Sequence, residues 1–411
     1  MWSRLDFVPL VVGVVLCGGI DALSLAEAPA AGPESAESIV ARLVAAARIY
    51  DKREMRTASD QLVQKGHAAV PCLRSILGDV DDNVRWQAVV ALGRIGRPAA
   101  MESVPELIAA CGDRDADVRG AAAVSLGLLR VKRARDAVSR LRRDGQPMVR
   151  SNAWWAWWQL TGDKRAVRQL VLLLSSKDWL ASGHASEHLA AVGTAAVPFL
   201  VERLSVGPLR SRRLVGETLR RMGPRAEKAI PKSLRLLDSD DSQMAAIAAR
   251  ILGGQGALAV SGLSDCLESP REHTRRLAVV ALGEIGTASG AASDRLSKGL
   301  RTATGQELLQ LVTALGRIGS AADVAVPGLV VVLRNENQDV RAATCEALGR
   351  IGLRSRPVVE GLAQLAQSDP VEFVRLAAGN AETTLRTTTD GASVFGDRSQ
   401  LNQRPLAKGK P

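Results

Sequence analysis

Residues 79–96 read DVDDNVRWQAVVALGRIG, and residues 335–352 read NENQDVRAATCEALGRIG. The ending of this stretch returns in shortened form as LGEIG at 282–286 and as LGRIG at 315–319. When the Arg of the Val-Arg pair is taken as an anchor, equivalent positions recur every 30–34 residues, at 85, 119, 150, 182, 212, 245, 275, 308, 341 and 375. A period of this length, sustained over most of the chain, is typical of a solenoid built from stacked repeats.

Each repeat predicts two helices. Leu stands seven residues after the anchor in eight of the ten repeats and Ala three residues after it in seven, so both positions lie on one helix face. Gly stands eight residues after the anchor in six repeats, which predicts a close approach by a neighbouring helix. Val-Pro pairs such as Val70-Pro71 mark the start of the other helix, where Pro is tolerated. We therefore expect an all-α fold, an α–α superhelix of about eleven helical hairpins.

At these residues the sequence resembles the HEAT-repeat superfamily, and specifically the short PBS-lyase HEAT-like repeats, whose motif is close to D-x-x-x-x-V-R-x-x-A-x-x-A-L-G-x-I-G. The resemblance covers residues 39–386. It implies a HEAT-like solenoid that serves as a binding platform for proteins, as a chromophore-lyase subunit or, as in some HEAT-like enzymes, as a DNA glycosylase. The repeats anchored at 182, 245 and 308 lack the Arg, and Glu382 replaces the Leu of the last repeat, which could therefore be a cap.

Both ends of the chain differ from the repeats. Residues 1–26 read as a secretory signal peptide: Arg4 precedes an apolar run at 7–16, and a small-residue cleavage site ends at Ala26. A lipoprotein signal at Cys17 fits less well because Leu16 is large, and a retained N-terminal anchor stays open. Residues 27–38 predict an Ala/Pro linker, and residues 387–411 a disordered polar tail. We expect an exported protein, periplasmic or extracellular, or one tethered by its N-terminal segment.

The composition of the chain and the motifs it lacks exclude several classes of protein. The 46% hydrophobic and 24% charged residues exclude a globally disordered chain. A net charge of +11 could attract anionic polymers or lipid, although Arg in place of Lys is also typical of a G+C-rich genome. The cysteines at 72, 111, 266 and 345 have no paired spacing, so neither a disulfide framework nor a zinc site is predicted. Because no catalytic motif, metal cluster or cofactor loop is recognisable, we expect no enzymatic activity and no cofactor.

An Asp precedes the anchor Arg by six residues in several repeats. A charge pair that recurs once per repeat predicts a structural ladder, in which the Asp caps the second helix and the Arg bonds a neighbouring loop. In one repeat Asn335 replaces the Asp. The predicted ladder residues are Asp79, Arg85, Asp113, Arg119, Asp144, Arg150, Arg341, Asp369 and Arg375.

The repeat pattern breaks at residues 153–158, which read AWWAWW. Trp157 takes the Leu position and is expected in the core, whereas Trp158 takes the Gly position. Trp155 takes a position that holds Glu187, Glu217, Arg250, Glu346 or Asn380 in five other repeats, so we expect it to face solvent on the inner surface. Two further tryptophans, Trp86 and Trp179, lie at or near the anchors of nearby repeats. Aromatic side chains that fill gaps between mismatched helices are the alternative interpretation.

The next repeat contains His184, Glu187 and His188 in an H-x-x-E-H pattern. This pattern matches the inverted zinc-peptidase motif, but no downstream acidic motif completes the ligand set, so no metal site is predicted. Glu187 lies one repeat after Trp155 at the same offset. The candidate partner-binding residues are therefore Trp86, Trp155, Trp158, Trp179, His184 and Glu187.

These observations favour an exported, non-catalytic scaffold that binds a protein partner on the concave face of its second helices. The runner-up is a lyase or chromophore-handling subunit, which rests on the family resemblance alone. Binding to the phosphate backbone of nucleic acid comes third, because acidic residues interleave with the arginines. Contact with a membrane is expected only through an uncleaved N-terminal segment.

Overall fold

The computed structural model describes residues 34–392. Within this range the chain forms α-helices and short 3-10 segments and contains no strand, so the predicted all-α class is confirmed. The predicted signal peptide, residues 27–33 of the linker and residues 393–411 of the tail lie outside the described residues.

The described helices pair into eleven hairpins, each with a first and a second helix. In chain order the pairs are α1 (Ala36–Ile49) and α2 (Lys52–Lys65), α3 (Val70–Ser75) and α4 (Asp82–Ile95), α5 (Val104–Ala110) and α6 (Ala116–Leu128), α7 (Arg135–Leu141) and α8 (Pro147–Thr161), α9 (Lys164–Leu173) and α10 (Trp179–Val192), α11 (Val197–Arg203) and α12 (Leu209–Met222), α13 (Ile230–Leu237) and α14 (Ser242–Gly254), α15 (Val260–Cys266) and α16 (Glu272–Ile285), α17 (Ser293–Gly299) and α18 (Gly305–Ile318), α19 (Val326–Val332) and α20 (Gln338–Ile351), and α21 (Arg356–Ser368) and α22 (Glu372–Ala392).

The helical region extends beyond both boundaries expected from the repeat pattern. Helix α1 begins at Ala36, inside the segment expected to be linker, because the hydroxyl of Ser35 accepts the backbone N–H of Ser38 as an N-cap. At the other end α22 continues to Ala392, into the segment expected to be a disordered tail.

The chain divides into two compact units between Met222 and Gly223. Unit 1 comprises the described helices α1–α12, and unit 2 comprises α13–α22. The stretch Gly305–Val332 in unit 2 is long and apolar enough to cross a membrane by composition alone. It consists of α18, a 3-10 segment at Gly319–Ala325 and α19, and its Leu308, Leu315 and Leu329 are buried in the core of unit 2.

The anchor residue is the fourth residue of each second helix from α4 to α22. The N-cap is four residues before the anchor, as shown by Asp81, whose carboxylate accepts the backbone N–H of Asn83 at 2.8 Å. The expectation that the Asp six residues before the anchor caps the helix is therefore wrong. Asp79 instead accepts the backbone N–H of Asp81 at 2.9 Å and shapes the turn before the helix.

The anchor arginines join neighbouring hairpins. Arg85 donates from Nε and Nη2 to both carboxylate oxygens of Asp113, at 2.9 and 2.8 Å, and its Nη1 donates to the carbonyl of Asp79 in its own turn. The same bidentate pairing occurs for Arg119 with Asp144 and for Arg341 with Asp369. Arg150 and Arg375 make the bond to their own turn, with the carbonyls of Asp144 and Asp369. A planar guanidinium between a carboxylate and a turn carbonyl fixes the register of adjacent repeats.

The recurrent Gly of the second helix allows neighbouring second helices to approach closely. A Cβ added at Gly316 would lie 2.9 Å from Cα of Ala347, and one added at Gly283 would lie 3.1 Å from Cα of Ala314. The close approach predicted from the sequence is therefore confirmed at these helices. In α8 the same position holds the half-buried Trp158 in place of Gly.

Candidate functional site

Trp155 lies in the interior of unit 1, with 1% of its surface exposed. The expectation that it faces solvent is wrong. Its ring stacks on that of His188 from α10, with centroids 5.2 Å apart and planes inclined by 22°. The aromatic pair thus joins α8 and α10 in the interior of unit 1.

A buried polar triad joins the same two helices. His184 Nδ1 and His188 Nε2 both donate to Oδ1 of Asn152, at 3.1 and 2.9 Å. These bonds make His184 the Nδ1–H tautomer and His188 the Nε2–H tautomer, because a carbonyl oxygen can only accept. Asn152 was not among the residues predicted from the sequence, since its position two residues after the anchor has no fixed residue type.

Burial keeps both histidines neutral. It lowers the pKa of His184 to about 4 and lowers the pKa of His188 well below its ordinary value. His188 Nδ1 and Trp155 Nε1 have no hydrogen-bond partner in the described region. No group of three or more His, Cys, Asp or Glu side chains between residues 34 and 392 could hold a metal ion. In this structure the two histidines of the H-x-x-E-H pattern contribute to helix packing, because their hydrogen bonds to Asn152 connect α10 to α8.

A second aromatic group lies on the other side of α8. The guanidinium carbon of Arg142 is 4.0 Å from the ring centroid of Trp157 and 4.7 Å from that of Trp154. Trp157 is half-buried, so its expected place in the core is wrong. The ring is too large for a position that elsewhere holds Leu, and its outer part is covered by the Arg142 cation.

The six residues predicted as a partner-binding patch differ widely in exposure. Trp86 and His184 are buried like Trp155, whereas Trp158 and Glu187 are half-buried. Burial raises the pKa of the Glu187 carboxyl, and the positive charge of Arg221 partly opposes this shift. Trp179, the first residue of α10, is 62% exposed. The structure thus brings Trp155 and His184 together in the interior, while Trp179 stands on the surface.

Unit 2 contains an open cleft on its second helices. The cleft lies between α14, α16 and α18 and has a volume of about 360 Å³. Ala245, Leu277 and Val280 provide apolar walls, and Arg276 and Gln310 provide polar ones. Nε of Arg276 and Oε1 of Gln310 are buried and have no hydrogen-bond partner among the described residues. Sequence reasoning missed this cleft because Arg276, Leu277, Val280 and Gln310 stand one to five positions after an anchor, where the residue type varies between repeats without any motif.

A model of HEAT repeats matches the chain at residues 73–146 and 293–381. The chain therefore contains HEAT repeats in both of these segments. The match concerns HEAT repeats in general, and assignment to the short PBS-lyase variety stays a prediction. Comparison with curated proteins gave no match.

Solved structures support the same fold for this HEAT-repeat protein. The karyopherin Kap121p is 14% identical, with a TM-score of 0.52, and the alignment covers 87% of this chain and 45% of Kap121p. Kap121p bound to Ste12p is 13% identical, with a TM-score of 0.51, and the alignment covers 86% of this chain and 45% of that one. The chain thus spans less than half the length of these karyopherins. At such identities the likeness shows the all-α HEAT solenoid fold alone.

The second helices of the HEAT-repeat protein present different side chains in the two units. Five residues after the anchor, unit 1 has the buried Val90 and Val124 in α4 and α6. The equivalent positions of unit 2 include Arg250, Glu346 and Asn380, which are exposed. At this offset the exposed polar side chains Arg250, Glu346 and Asn380 belong to unit 2, whereas Glu187 and Glu217 of unit 1 are half-buried.

Proposed function

We propose that this HEAT-repeat protein is a non-catalytic scaffold that binds a protein partner through the second helices of unit 2. The cleft between α14, α16 and α18 carries this proposal. Its lining includes Arg276, whose Nε is a buried donor, and Gln310, whose Oε1 is a buried acceptor, and neither atom has a hydrogen-bond partner among the described residues. Both lie beside the apolar Leu277 and Val280, and a bound segment would reach them after a small rotation of the two side chains.

A peptide segment complements these groups. Each peptide unit offers one C=O and one N–H, so an extended segment in the cleft would accept from Arg276 and donate to Gln310. A buried polar atom without a partner costs about 1–3 kcal/mol, and pairing on binding removes this cost. An apolar side chain of the partner would pack on Leu277 and Val280.

The likeness to Kap121p supports a protein ligand in general terms. The solved complex of Kap121p with Ste12p is an example of a related solenoid bound to a protein. The proposed site on our chain rests on its own cleft, because the likeness in fold does not transfer a partner.

Export is part of the proposal and rests on residues 1–26, with their basic start, apolar run and small-residue cleavage site. N-terminal sequencing of the protein recovered from the native cell envelope tests it. A mature N-terminus at Glu27 would support export with cleavage, and an intact Met1 on cytoplasmic protein would contradict it.

The binding site is tested by capturing partners from native envelope extracts and then measuring the affinity of the purified partner by calorimetry. The cleft variant is Arg276→Ala/Gln310→Ala, and the matched control is Arg317→Ala/Arg350→Ala, whose side chains are exposed on the second helices of the same unit. We expect the cleft variant to lose roughly tenfold or more in affinity, because two hydrogen bonds are removed, while the control retains the partner. Equal affinities for wild type and cleft variant would refute this site.

A further inference from the structure

The first helices α7 and α9 form a strongly basic surface on unit 1. Both helices pack on α8 and bury an apolar side, including Val138 of α7 and Val167 of α9. Their outer sides and flanking turns carry ten exposed cations, which we call the basic outer surface: Arg130, Lys132, Arg133, Arg135, Arg140, Arg143, Lys164, Arg165, Arg168 and Lys177.

Few carboxylates oppose these charges. Between residues 130 and 177 Asp136 is the one exposed acid. Asp144 is paired with Arg119, and Asp163 accepts a backbone N–H as the N-cap of α9. None of the ten cations has a carboxylate oxygen within 4.0 Å in the part of the chain that the structure describes, so their positive field is not neutralised locally.

Two other first helices, α3 and α17, pair their cations with carboxylates of a neighbouring repeat. Arg74 of α3 forms an ion pair with Glu106 of α5, and Arg295 of α17 forms one with Asp265 of α15 at 2.8 Å. Acidic partners across the repeat are thus available elsewhere in this fold. Their absence at the basic outer surface leaves it suited to an external polyanion.

Apolar side chains are exposed next to the cations. Arg165, Arg168 and Leu172 share the outer face of α9 at spacings of three and four residues, and Leu172 is 54% exposed. Beside them a groove of about 480 Å³ runs along α9 and α11. Its apolar lining includes Leu172, Phe199 and Val206, and its charged lining is Arg168, Arg203 and one carboxylate, Glu202. Trp179, which is 62% exposed, is the first residue of α10 and lies two residues after Lys177.

We infer that the basic outer surface binds the surface of an anionic phospholipid bilayer. The cations would pair with lipid phosphates, while Leu172 and Trp179 would enter the boundary between headgroups and acyl chains. Such a surface gains both electrostatic attraction and apolar burial from a bilayer. The phosphates of a nucleic acid would pair with the cations equally well, but a nucleic acid offers no hydrocarbon region in which Leu172 and Val206 could be buried. The exposed apolar side chains therefore favour a lipid bilayer. This contact is separate from the proposed partner cleft and does not depend on a membrane-anchoring N-terminal segment.

The inference is tested by sedimentation of the full chain with vesicles of phosphatidylglycerol and phosphatidylcholine in equal parts, and with vesicles of phosphatidylcholine alone. The test variant is Arg133→Glu/Arg140→Glu/Arg165→Glu. The matched control is Arg301→Glu/Arg334→Glu/Arg354→Glu, which makes the same charge change at exposed residues of unit 2. All variants retain the N-terminal segment, so its contribution to membrane binding is common to them.

We expect the test variant to lose roughly tenfold or more in affinity for the anionic vesicles, with the control close to wild type. Added salt should weaken the binding of wild type, and Leu172→Ser should weaken it at constant charge. Equal losses in the two triple variants would overturn the inference, because binding would then follow net charge alone. Salt-sensitive binding to a DNA duplex without binding to vesicles would also overturn it, in favour of nucleic acid.

Discussion

Replacing Asn152 by Leu should destabilise unit 1 strongly. The change removes Oδ1, which accepts from His184 at 3.1 Å and from His188 at 2.9 Å. Both imidazoles are buried, so neither N–H can turn to bulk water. Each orphaned donor costs about 1–3 kcal/mol, and two of them cost about 4 kcal/mol in free energy of unfolding before any gain from the apolar Leu side chain.

The measurement is urea unfolding followed by far-ultraviolet circular dichroism, together with hydrogen exchange of the amides in α8 and α10. Exchange is needed because repeat arrays lose cooperativity and unfold in segments. The matched control is Gln159→Leu, which introduces the same side chain at a half-buried position of the same helix. We expect the control to change stability by about 0.5 kcal/mol or less.

A loss below about 1 kcal/mol for Asn152→Leu would refute the reasoning, because it would mean that the histidine donors find other acceptors. Strong destabilisation by the control would refute it as well, since the effect would then belong to α8 as a whole. Faster exchange confined to α8 and α10 is the result that the triad predicts.

Three further outcomes are expected. The pKa of His184 is about 4 in the folded protein, against an ordinary value of 6.5, so the unfolded state binds the proton at a higher pH than the folded state does. The free energy of unfolding should therefore fall by up to about 3 kcal/mol as the pH drops from 6.5 to 4. The urea midpoints of wild type and His184→Gln should diverge over this range. Asp369→Ala should cost about 3 kcal/mol, because Arg341 loses a bidentate partner at 2.7 and 3.0 Å, and a thermal scan showing no change would contradict the ladder. Gly316→Ala should destabilise by about 1–3 kcal/mol, since its Cβ would meet the backbone of α20 at 2.9 Å. The control Gly379→Ala, with nothing within 4 Å of the new Cβ, should be neutral or stabilising by about 1 kcal/mol through helix propensity, and equal effects would argue against the close contact.

Reasoning from the repeat pattern located the hairpins and the anchor positions. It assigned the ladder residues to a structural role, and the bonds of Arg85 and Asp113 occur between neighbouring hairpins. The capping role given to Asp79 was wrong because two carboxylates stand close together in the turn, and spacing alone does not tell which one faces the helix N-terminus. Trp155 was misplaced because the pattern assumes the same surroundings for each repeat, whereas here His188 of the next repeat stacks on its ring.

The basic outer surface of unit 1 and the cleft of unit 2 could not be located from the sequence. Charge counting shows an excess of Arg. It does not show that Asp144 and Asp163 are already engaged, which leaves the cations of α7 and α9 without carboxylate partners among the described residues. The unpaired atoms of Arg276 and Gln310 are likewise invisible in a sequence, because pairing depends on groups that lie one or two repeats away.

The period, the hairpin unit and the close helix contacts at glycine follow from the amino-acid order, since each depends on residues within one repeat or at a constant offset in the next. The burial of the Trp155 pair, the triad on Asn152 and the cleft of unit 2 were resolved by the packed structure. The physical reason is that burial and hydrogen bonding depend on the particular side chain that an adjacent repeat places opposite, and this varies where the repeats are not alike.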